Sequence, residues 1–165
     1  MDNCESKLKK YISEHNIRAE HLRFEKSLHS VQELLRVTGL PLEEITKTII
    51  FTGGDNGERT HEMRQSAVAA MIPAMFRVSA SRLKEAVGFD VEIAMPKEAL
   101  ERTGYPVGGM PCFGYDAMLI VDPKVLDREY VYTGGGSEFS IIKMATSEIL
   151  KFSPIIKRVT GKKSN

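Results

Sequence analysis

One lysine stands inside an apolar, strand-like run of this sequence. Residues 45–51 read ITKTIIF, a run of β-branched and aromatic side chains that predicts a buried β-strand, with Lys47 near its start. A lysine in such a strand has two readings. Either its aliphatic stem lies along the strand and its ammonium reaches solvent at a sheet edge, or the ammonium is held in a cleft, where it can fix a carbonyl or carboxyl oxygen. The strand alone leaves both readings open.

A glycine-rich loop follows later in the chain. Residues 103–114 read TGYPVGGMPCFG, with four glycines and two prolines among twelve residues. Such a loop is rigid, lets backbone approach closely, and can point several backbone N–H groups at a carbonyl oxygen or a phosphate. We therefore predict a site built from Lys47 and this loop.

Length and charge narrow the class of protein. The chain has 165 residues, which fits one domain with a single core, and its formal net charge is only +1. Contact with a polyanion would therefore depend on a local patch, for which residues 151–163 with five Lys and Arg are the candidate. A solubilising frayed terminus is an equally good interpretation of that tail.

Cysteine usage and hydropathy indicate the compartment. The two cysteines, Cys4 and Cys112, make a disulfide framework an unfavoured interpretation, which fits a reducing environment. The N-terminus has no apolar signal region, and no stretch approaches the ~20 apolar residues of a membrane span. We expect a cytoplasmic protein with no membrane partner.

The residue pattern predicts helices and strands in irregular alternation. An amphipathic helix is expected over residues 5–14. A capping box at Ser30 and Glu33 opens a helix that Gly39 ends, and Ser81 is expected to cap a helix that stops before Gly88. Strands are expected over residues 45–51, 65–72, 91–95, 117–121, 130–133 and 140–144, with a turn over residues 53–58. The fold class is therefore predicted as mixed α/β, a single domain with one curled mixed sheet and helices outside.

The sequence favours two other chemistries less. The four histidines, His15, His21, His29 and His61, lack the spacing of a metal site, so no metal and no cofactor is expected. Cys112 could act as a nucleophile if a neighbouring base lowered its pKa. No histidine is near it in sequence, and a small apolar residue packed beside Phe113 is the favoured interpretation.

Four motifs in order resemble a known family. They are ITKTIIF at residues 45–51, the glycine loop at 103–114, the Val121-Asp122 pair, and YTGGG at 132–136. This combination resembles the YbaK-type aminoacyl-tRNA editing proteins, freestanding relatives of the editing domain of bacterial prolyl-tRNA synthetases. The likeness runs from about residue 22 to residue 152. It divides the chain into an N-terminal helical extension (1–20), an editing domain (21–155) and a basic C-terminal tail (156–165).

The resemblance implies an activity and a set of residues. Family members hydrolyse the ester between a wrong amino acid and the terminal adenosine of tRNA, and their sheet is closed toward a barrel. The strand lysine corresponds to Lys47, and the loop that binds the aminoacyl carbonyl corresponds to Gly108 and Gly109 as catalytic residues. Substrate contacts carry over to Thr48, Met110, Pro111, Cys112, Phe113, Gly135 and Ser140. The expected partners are the acceptor end of aminoacyl-tRNA and an aminoacyl-tRNA synthetase.

The sequence departs from the family pattern in two places. The family loop reads Gly-x-x-x-Pro, and here Cys112 takes the proline position while Pro111 stands one residue earlier. Some members carry an acidic residue or histidine in the last strand, where this chain has Ser140. Thr48 resembles the cysteine-editing branch more than the alanine-editing branch.

Three functions therefore stay open at this point. The first is a deacylase acting in trans on small misacylated residues such as alanine, serine, cysteine or threonine. The second is a non-catalytic module with the same fold that binds tRNA or a synthetase. The third is a thiol-dependent hydrolase that uses Cys112.

Overall fold

Helices and strands alternate along residues 3–53 and 67–164, the part of the chain that the computed structural model describes. The helices are α1 (Asn3–Glu14), α2 (Val31–Thr38), α3 (Ala80–Val87), α4 (Pro96–Thr103) and α5 (Thr146–Ile149). The strands are β1 (Ala19–Arg23), β2 (Thr46–Gly53), β3 (Ala67–Pro73), β4 (Phe76–Val78), β5 (Val91–Ile93), β6 (Met118–Val121), β7 (Tyr130–Gly134), β8 (Ser140–Ala145), β9 (Ile155–Ile156) and β10 (Thr160–Lys163). Short 3₁₀ turns cover Leu42–Glu44, Pro123–Asp127 and Leu150–Phe152.

The largest sheet is mixed, and its central strand β3 is buried on both faces. Its order is β5-β2-β3-β6-β9, with β2 antiparallel to β3 and β5, and β3 parallel to β6. Every residue of β3 is buried. Because side chains alternate along a strand, Ala69 and Met71 pack into one apolar cluster, while Val68, Ala70 and Ile72 pack into another on the opposite face. The prediction of a mixed α/β fold is confirmed.

Two smaller sheets complete the fold. Strands β1, β8 and β7 form a three-stranded antiparallel sheet, and β10 pairs with β4. The large sheet meets the three-stranded sheet through a single parallel bridge between Ile45 and Tyr132. One bridge does not continue a ladder, so the prediction of a sheet curled toward a barrel is wrong for the residues that the structure describes.

Local signals in the sequence mostly act as expected. The Ser30 hydroxyl accepts a hydrogen bond from Glu33 N–H, and Gly39 ends α2 in the left-handed conformation. The cap of α3 is Ser79 rather than Ser81: the Ser79 hydroxyl accepts from Arg82 N–H at 3.4 Å. The predicted turn over residues 53–58 and the first residues of the return strand lie outside the described residues, except Gly53.

The N-terminal helix packs into the core. Leu8 and Glu5 of α1 are fully buried, and Leu8 belongs to the cluster that contains Met71 and Tyr105. The three boundaries predicted for an extension, a domain and a tail stay predictions.

The C-terminal segment is tied down by one carboxylate. Asp122, which follows β6, is fully buried, and its Oδ2 accepts hydrogen bonds from the backbone N–H groups of Val159 and Thr160 at 2.9 and 3.0 Å. Its Oδ1 accepts from Lys124 N–H at 3.0 Å. The interpretation of the tail as a frayed terminus is therefore wrong, because Asp122 holds the start of β10 against the sheet.

This carboxylate makes stability depend on pH. Burial alone raises the pKa of Asp122, but the hydrogen bonds from Lys124, Val159 and Thr160 outweigh burial and hold the pKa below its usual value. The stabilisation is therefore present above the unfolded-state pKa of about 3.9 and is lost as pH falls through the lower folded-state pKa.

We predict that Asp122→Asn lowers the free energy of unfolding at pH 7 by about 2–4 kcal/mol, because the NH₂ group that replaces one carboxylate oxygen cannot accept from the buried N–H groups. Urea unfolding at pH 7 and along a series down to pH 2 measures both the loss and its disappearance in acid. Asp127→Asn, at an exposed position of the same 3₁₀ turn, should change stability by less than about 0.5 kcal/mol. Equal effects of the two variants would contradict this account of the tail.

Candidate functional site

A cavity of about 240 Å³ lies between the large sheet and the three-stranded sheet. Its wall is formed by the start of β2, the end of β7, the start of β8, helix α2 and the glycine loop. The lining residues are Leu28, His29, Ser30, Val31, Leu34, Ile45, Thr46, Lys47, Thr48, Ile49, Ala74, Val107, Gly108, Met110, Tyr132, Thr133, Gly134, Ser140 and Ile141.

The cavity exists because one edge of β2 is only half paired. Strand β5 pairs with Phe51, Thr52 and Gly53 and ends there. Ile50 C=O accepts from Ala94 N–H, so Ile50 backbone groups point to this edge. Backbone N–H and C=O groups point to alternate edges of a strand from one residue to the next. The backbone groups of Thr48 therefore point to the same edge as those of Ile50, at a position beyond the end of β5. The predicted lysine strand therefore borders open space at its first half.

Lys47 lines this cavity and is half-buried. Burial lowers the pKa of its ammonium, and the positive charge of Arg77 lowers it further. Among the residues that the structure describes, no carboxylate pairs with Lys47 and no Asp or Glu lines the cavity. The ammonium is therefore a cation at a cavity wall, with no counter-charge among residues 3–53 and 67–164.

Thr48 contributes a buried hydroxyl to the same cavity. The residue is 8% exposed, and its Oγ1 has no hydrogen-bond partner among the described residues. Thr133 and Ser140, also in the wall, are 1% and 2% exposed. A buried hydroxyl without a partner is costly, so the inner part of the cavity suits a polar ligand group.

Close contact between two glycine segments seats the loop against the cavity. Gly136 N–H donates to Gly109 C=O at 2.8 Å. A Cβ atom at Gly109 would lie 2.4 Å from Ser137 N, and one at Gly134 would lie 2.2 Å from Met110 O. Only glycine permits this approach, which explains why the sequence carries glycines in both segments.

Several backbone N–H groups of the loop have no hydrogen-bond partner among the described residues. Gly109 N–H is occupied by Pro106 C=O at 3.1 Å, and Gly109 does not line the cavity. The N–H groups of Gly108 and Met110, which do line it, have no hydrogen-bond partner among the described residues. With the N–H of Val107, which lines the cavity and also has no partner among the described residues, they are the loop donors available to an oxygen in the cavity.

The remaining predicted site residues divide into two groups. Ser140 lines the cavity with Lys47, Thr48, Gly108 and Met110. Gly109, Pro111, Cys112, Phe113 and Gly135 do not. Cys112 and Phe113 border a separate cavity of about 110 Å³, and Phe113 stacks on Phe152 with ring centroids 4.9 Å apart.

The environment of Cys112 opposes thiolate chemistry. Burial raises the pKa of the Cys112 thiol to about 12, although its own backbone and the nearby Thr133 side chain lower it in part. The residue is 3% exposed. At neutral pH the thiol therefore stays protonated, as expected for packing rather than catalysis.

The structure also brings in residues that sequence reasoning missed. His29, Tyr132 and Thr133 line the cavity. His29 stands directly before the α2 cap at Ser30, and Tyr132 and Thr133 belong to the YTGGG motif. Their position in that motif, directly before its glycines, is the sequence signal that could identify Tyr132 and Thr133.

The described residues show neither a metal-binding cluster nor a membrane-spanning helix. Within residues 3–53 and 67–164, no group of three or more His, Cys, Asp or Glu side chains is arranged to hold a metal ion. No described helix has the length and apolar character needed to cross a bilayer. His61, part of the histidine set considered above, lies outside the described residues.

Fold and site together define a class of protein: a mixed α/β domain with a lysine and a glycine loop on one cavity. The family model for the aminoacyl-tRNA editing domain matches residues 25–152. This chain therefore belongs to the aminoacyl-tRNA editing domain family.

Individual proteins are similar to this chain in sequence or in fold. Uncharacterized protein YwhH of Bacillus subtilis (strain 168) is 26% identical over 133 residues, which cover 79% of this chain and 78% of that protein. The crystal structure of hypothetical protein APE2540 is 28% identical, covers 94% of this chain and 99% of its own, and has a TM-score of 0.82. A protein proposed to be a trans-editing enzyme for prolyl tRNA synthetase shares the fold at TM-score 0.84 and 17% identity, covering 98% of this chain and 99% of its own.

We predict that Gly109→Ala displaces the loop from the cavity, because its Cβ would meet the Ser137 backbone at 2.4 Å. The expected loss is about 1–3 kcal/mol in the free energy of unfolding, measured by urea denaturation. Gly161→Ala is the matched control, since its Cβ would make only ordinary contacts of 3.5 Å or more. A Gly109→Ala protein as stable as the control would refute the seating of the loop.

Proposed function

We propose that this protein hydrolyses the ester bond of mischarged aminoacyl-tRNA, acting in trans on small residues such as alanine, serine, cysteine or threonine. The observation that carries the proposal is the placement of Lys47 and the free N–H groups of Gly108 and Met110 in the wall of one cavity. Family membership supports a role in editing, and the cytoplasm, where tRNA is charged, is the proposed site of action.

The chemistry follows from the groups present. An aminoacyl ester is already reactive, so the protein must hold it, admit one water and stabilise the negative charge that develops on the carbonyl oxygen. Lys47 and the loop N–H groups of Gly108 and Met110 supply positive charge and donors for that oxygen. A neighbouring ribose hydroxyl of the substrate can orient the water, since no carboxylate lines the cavity among the described residues. Gly109, with its N–H occupied, acts by holding the loop in place.

The predicted substrate contacts divide into residues that line the cavity and residues that do not. Thr48, Met110 and Ser140 would touch the aminoacyl group. Four other residues would act from behind the cavity wall, by fixing the glycine loop and the turn after β7: Pro111, Cys112, Phe113 and Gly135. The acceptor end of tRNA is the proposed partner, and a synthetase that releases the mischarged tRNA is the second.

We predict that Lys47→Ala folds but lowers the deacylation rate about 10²- to 10³-fold, the effect of removing one charge-stabilising donor. The measurement is hydrolysis of a panel of defined aminoacyl-tRNAs above the spontaneous background. Lys97→Ala, at an exposed position of α4, should keep the wild-type rate.

An unchanged rate in Lys47→Ala would remove the lysine from the mechanism. Binding of tRNA with no ester cleavage across the whole panel would instead favour the non-catalytic module. That alternative keeps the fold and the tRNA contact but not the chemistry.

We predict that Cys112→Ala keeps the deacylation rate within about threefold, because a buried thiol with a pKa of about 12 supplies no thiolate at neutral pH. The same panel measures it, with circular dichroism as the check on folding. A folded Cys112→Ala protein without activity would reinstate the thiol-dependent reading.

A further inference from the structure

A buried carboxylate from the N-terminal helix lies behind the cavity wall. Glu5 of α1 is fully buried, and its Oε2 accepts a hydrogen bond from Ser137 Oγ at 2.8 Å. Its Oε1 lies 3.3 Å from Arg23 Nε. Glu5 precedes the segment that matches the family model, which begins at residue 25, so the proposed function has assigned it no role.

Hydrogen bonds continue from Glu5 to Ser140, a residue of the cavity wall. Ser137 Oγ lies 3.0 Å from Ser140 Oγ, and Phe139 N–H donates to Ser137 Oγ at 3.1 Å. Ser140 is part of the cavity wall. On β8 it shares a sheet face with Ile142, the register partner of Thr133, so Ser140 and Thr133 lie on the same face.

The carboxylate fixes the direction of this chain of hydrogen bonds. A carboxylate only accepts, and a serine hydroxyl has one proton to donate. Since Ser137 donates its only hydroxyl proton to Glu5, the two serines form a hydrogen bond when Ser140 donates to Ser137. The Ser140 oxygen then has only acceptor capacity left.

We infer that Glu5 is a positioning residue that sets Ser140 as an acceptor for the α-ammonium group of the aminoacyl substrate. This inference rests on the proposed deacylase function. An ammonium has only donors to offer, so it matches an acceptor-only oxygen, and Thr48 Oγ1 is a second hydroxyl without a partner among the described residues. The site would thus hold the amino group of the substrate at the hydroxyls of Ser140 and Thr48. It would hold the carbonyl oxygen at Lys47 and the glycine loop.

The test compares alanyl-tRNA with propionyl-tRNA, which differs only by lacking the amino group. Each enzymatic rate constant, measured as kcat/KM, is divided by the spontaneous hydrolysis rate of that ester to remove intrinsic reactivity. The wild-type protein should prefer alanyl-tRNA by about 10- to 100-fold, the worth of one charge-assisted hydrogen bond. If alanyl-tRNA is a poor substrate, the seryl ester and its deamino counterpart serve in the same way.

Variants then show whether Glu5 creates the preference. Glu5→Gln can both donate and accept, which frees the direction of the Ser137 hydroxyl, so the preference should fall about tenfold while propionyl-tRNA hydrolysis stays unchanged. Ser137→Ala, which breaks the chain at its centre, should behave alike. Glu14→Gln, at an exposed position of the same helix, should keep the wild-type preference.

The outcomes separate this inference from the function on which it rests. Equal normalised rates for the two esters in the wild-type protein would overturn the inference and leave the deacylase function intact, whatever the variants do. A parallel loss for both esters in folded Glu5→Gln and Ser137→Ala would overturn it in favour of a structural role. Failure of the wild-type protein to hydrolyse any ester of the panel would overturn both.

Discussion

The candidate site depends on one backbone contact, the seating of the glycine loop against the turn after β7. Gly136 N–H bonds to Gly109 C=O, and Gly134 and Gly109 leave no room for a Cβ atom. This contact holds Gly108 and Met110 at the cavity and leaves their N–H groups free. A side chain at Gly134 or Gly109 would separate the glycine loop from the end of β7.

The second constraint is electrostatic. Lys47 sits at the half-paired edge of β2, partly desolvated, near Arg77 and without a carboxylate among the described residues. Such a placement costs folding free energy. A ligand that brings negative charge or a polar oxygen would recover part of that cost, which is why the site suits an oxygen rather than an apolar group.

Sequence patterns predicted the features that depend on interactions between residues close together in the sequence. The capping box at Ser30, the stop at Gly39 and the lysine strand all depend on neighbours within a few residues. The sequence does not predict strands β1, β4, β9 and β10, because each is short or polar and is held by a partner far along the chain: Ala19 pairs with Met144, Ile155 with Ile120, and Thr160 with Val78. Nothing near Thr160 in sequence announces the carboxylate of Asp122 that fixes it.

The same limit applies to the site. Lys47 and the loop could be identified because their residue types are unusual for a strand and a connection. That the loop turns away after Met110, and leaves Cys112 and Phe113 in a separate apolar cavity, depends on the stacking of Phe113 on Phe152. That contact joins residues 39 positions apart (152 minus 113), and no local pattern encodes it.

The central claim is that one cavity presents the lysine and the loop donors to the same oxygen. A crystal structure with a non-hydrolysable amide analogue of 3′-aminoacyl adenosine tests this most directly. The account predicts the analogue carbonyl oxygen within hydrogen-bond distance of Lys47 Nζ and of Gly108 or Met110 N–H. An analogue bound elsewhere, or bound here with its carbonyl turned away from both, would contradict it.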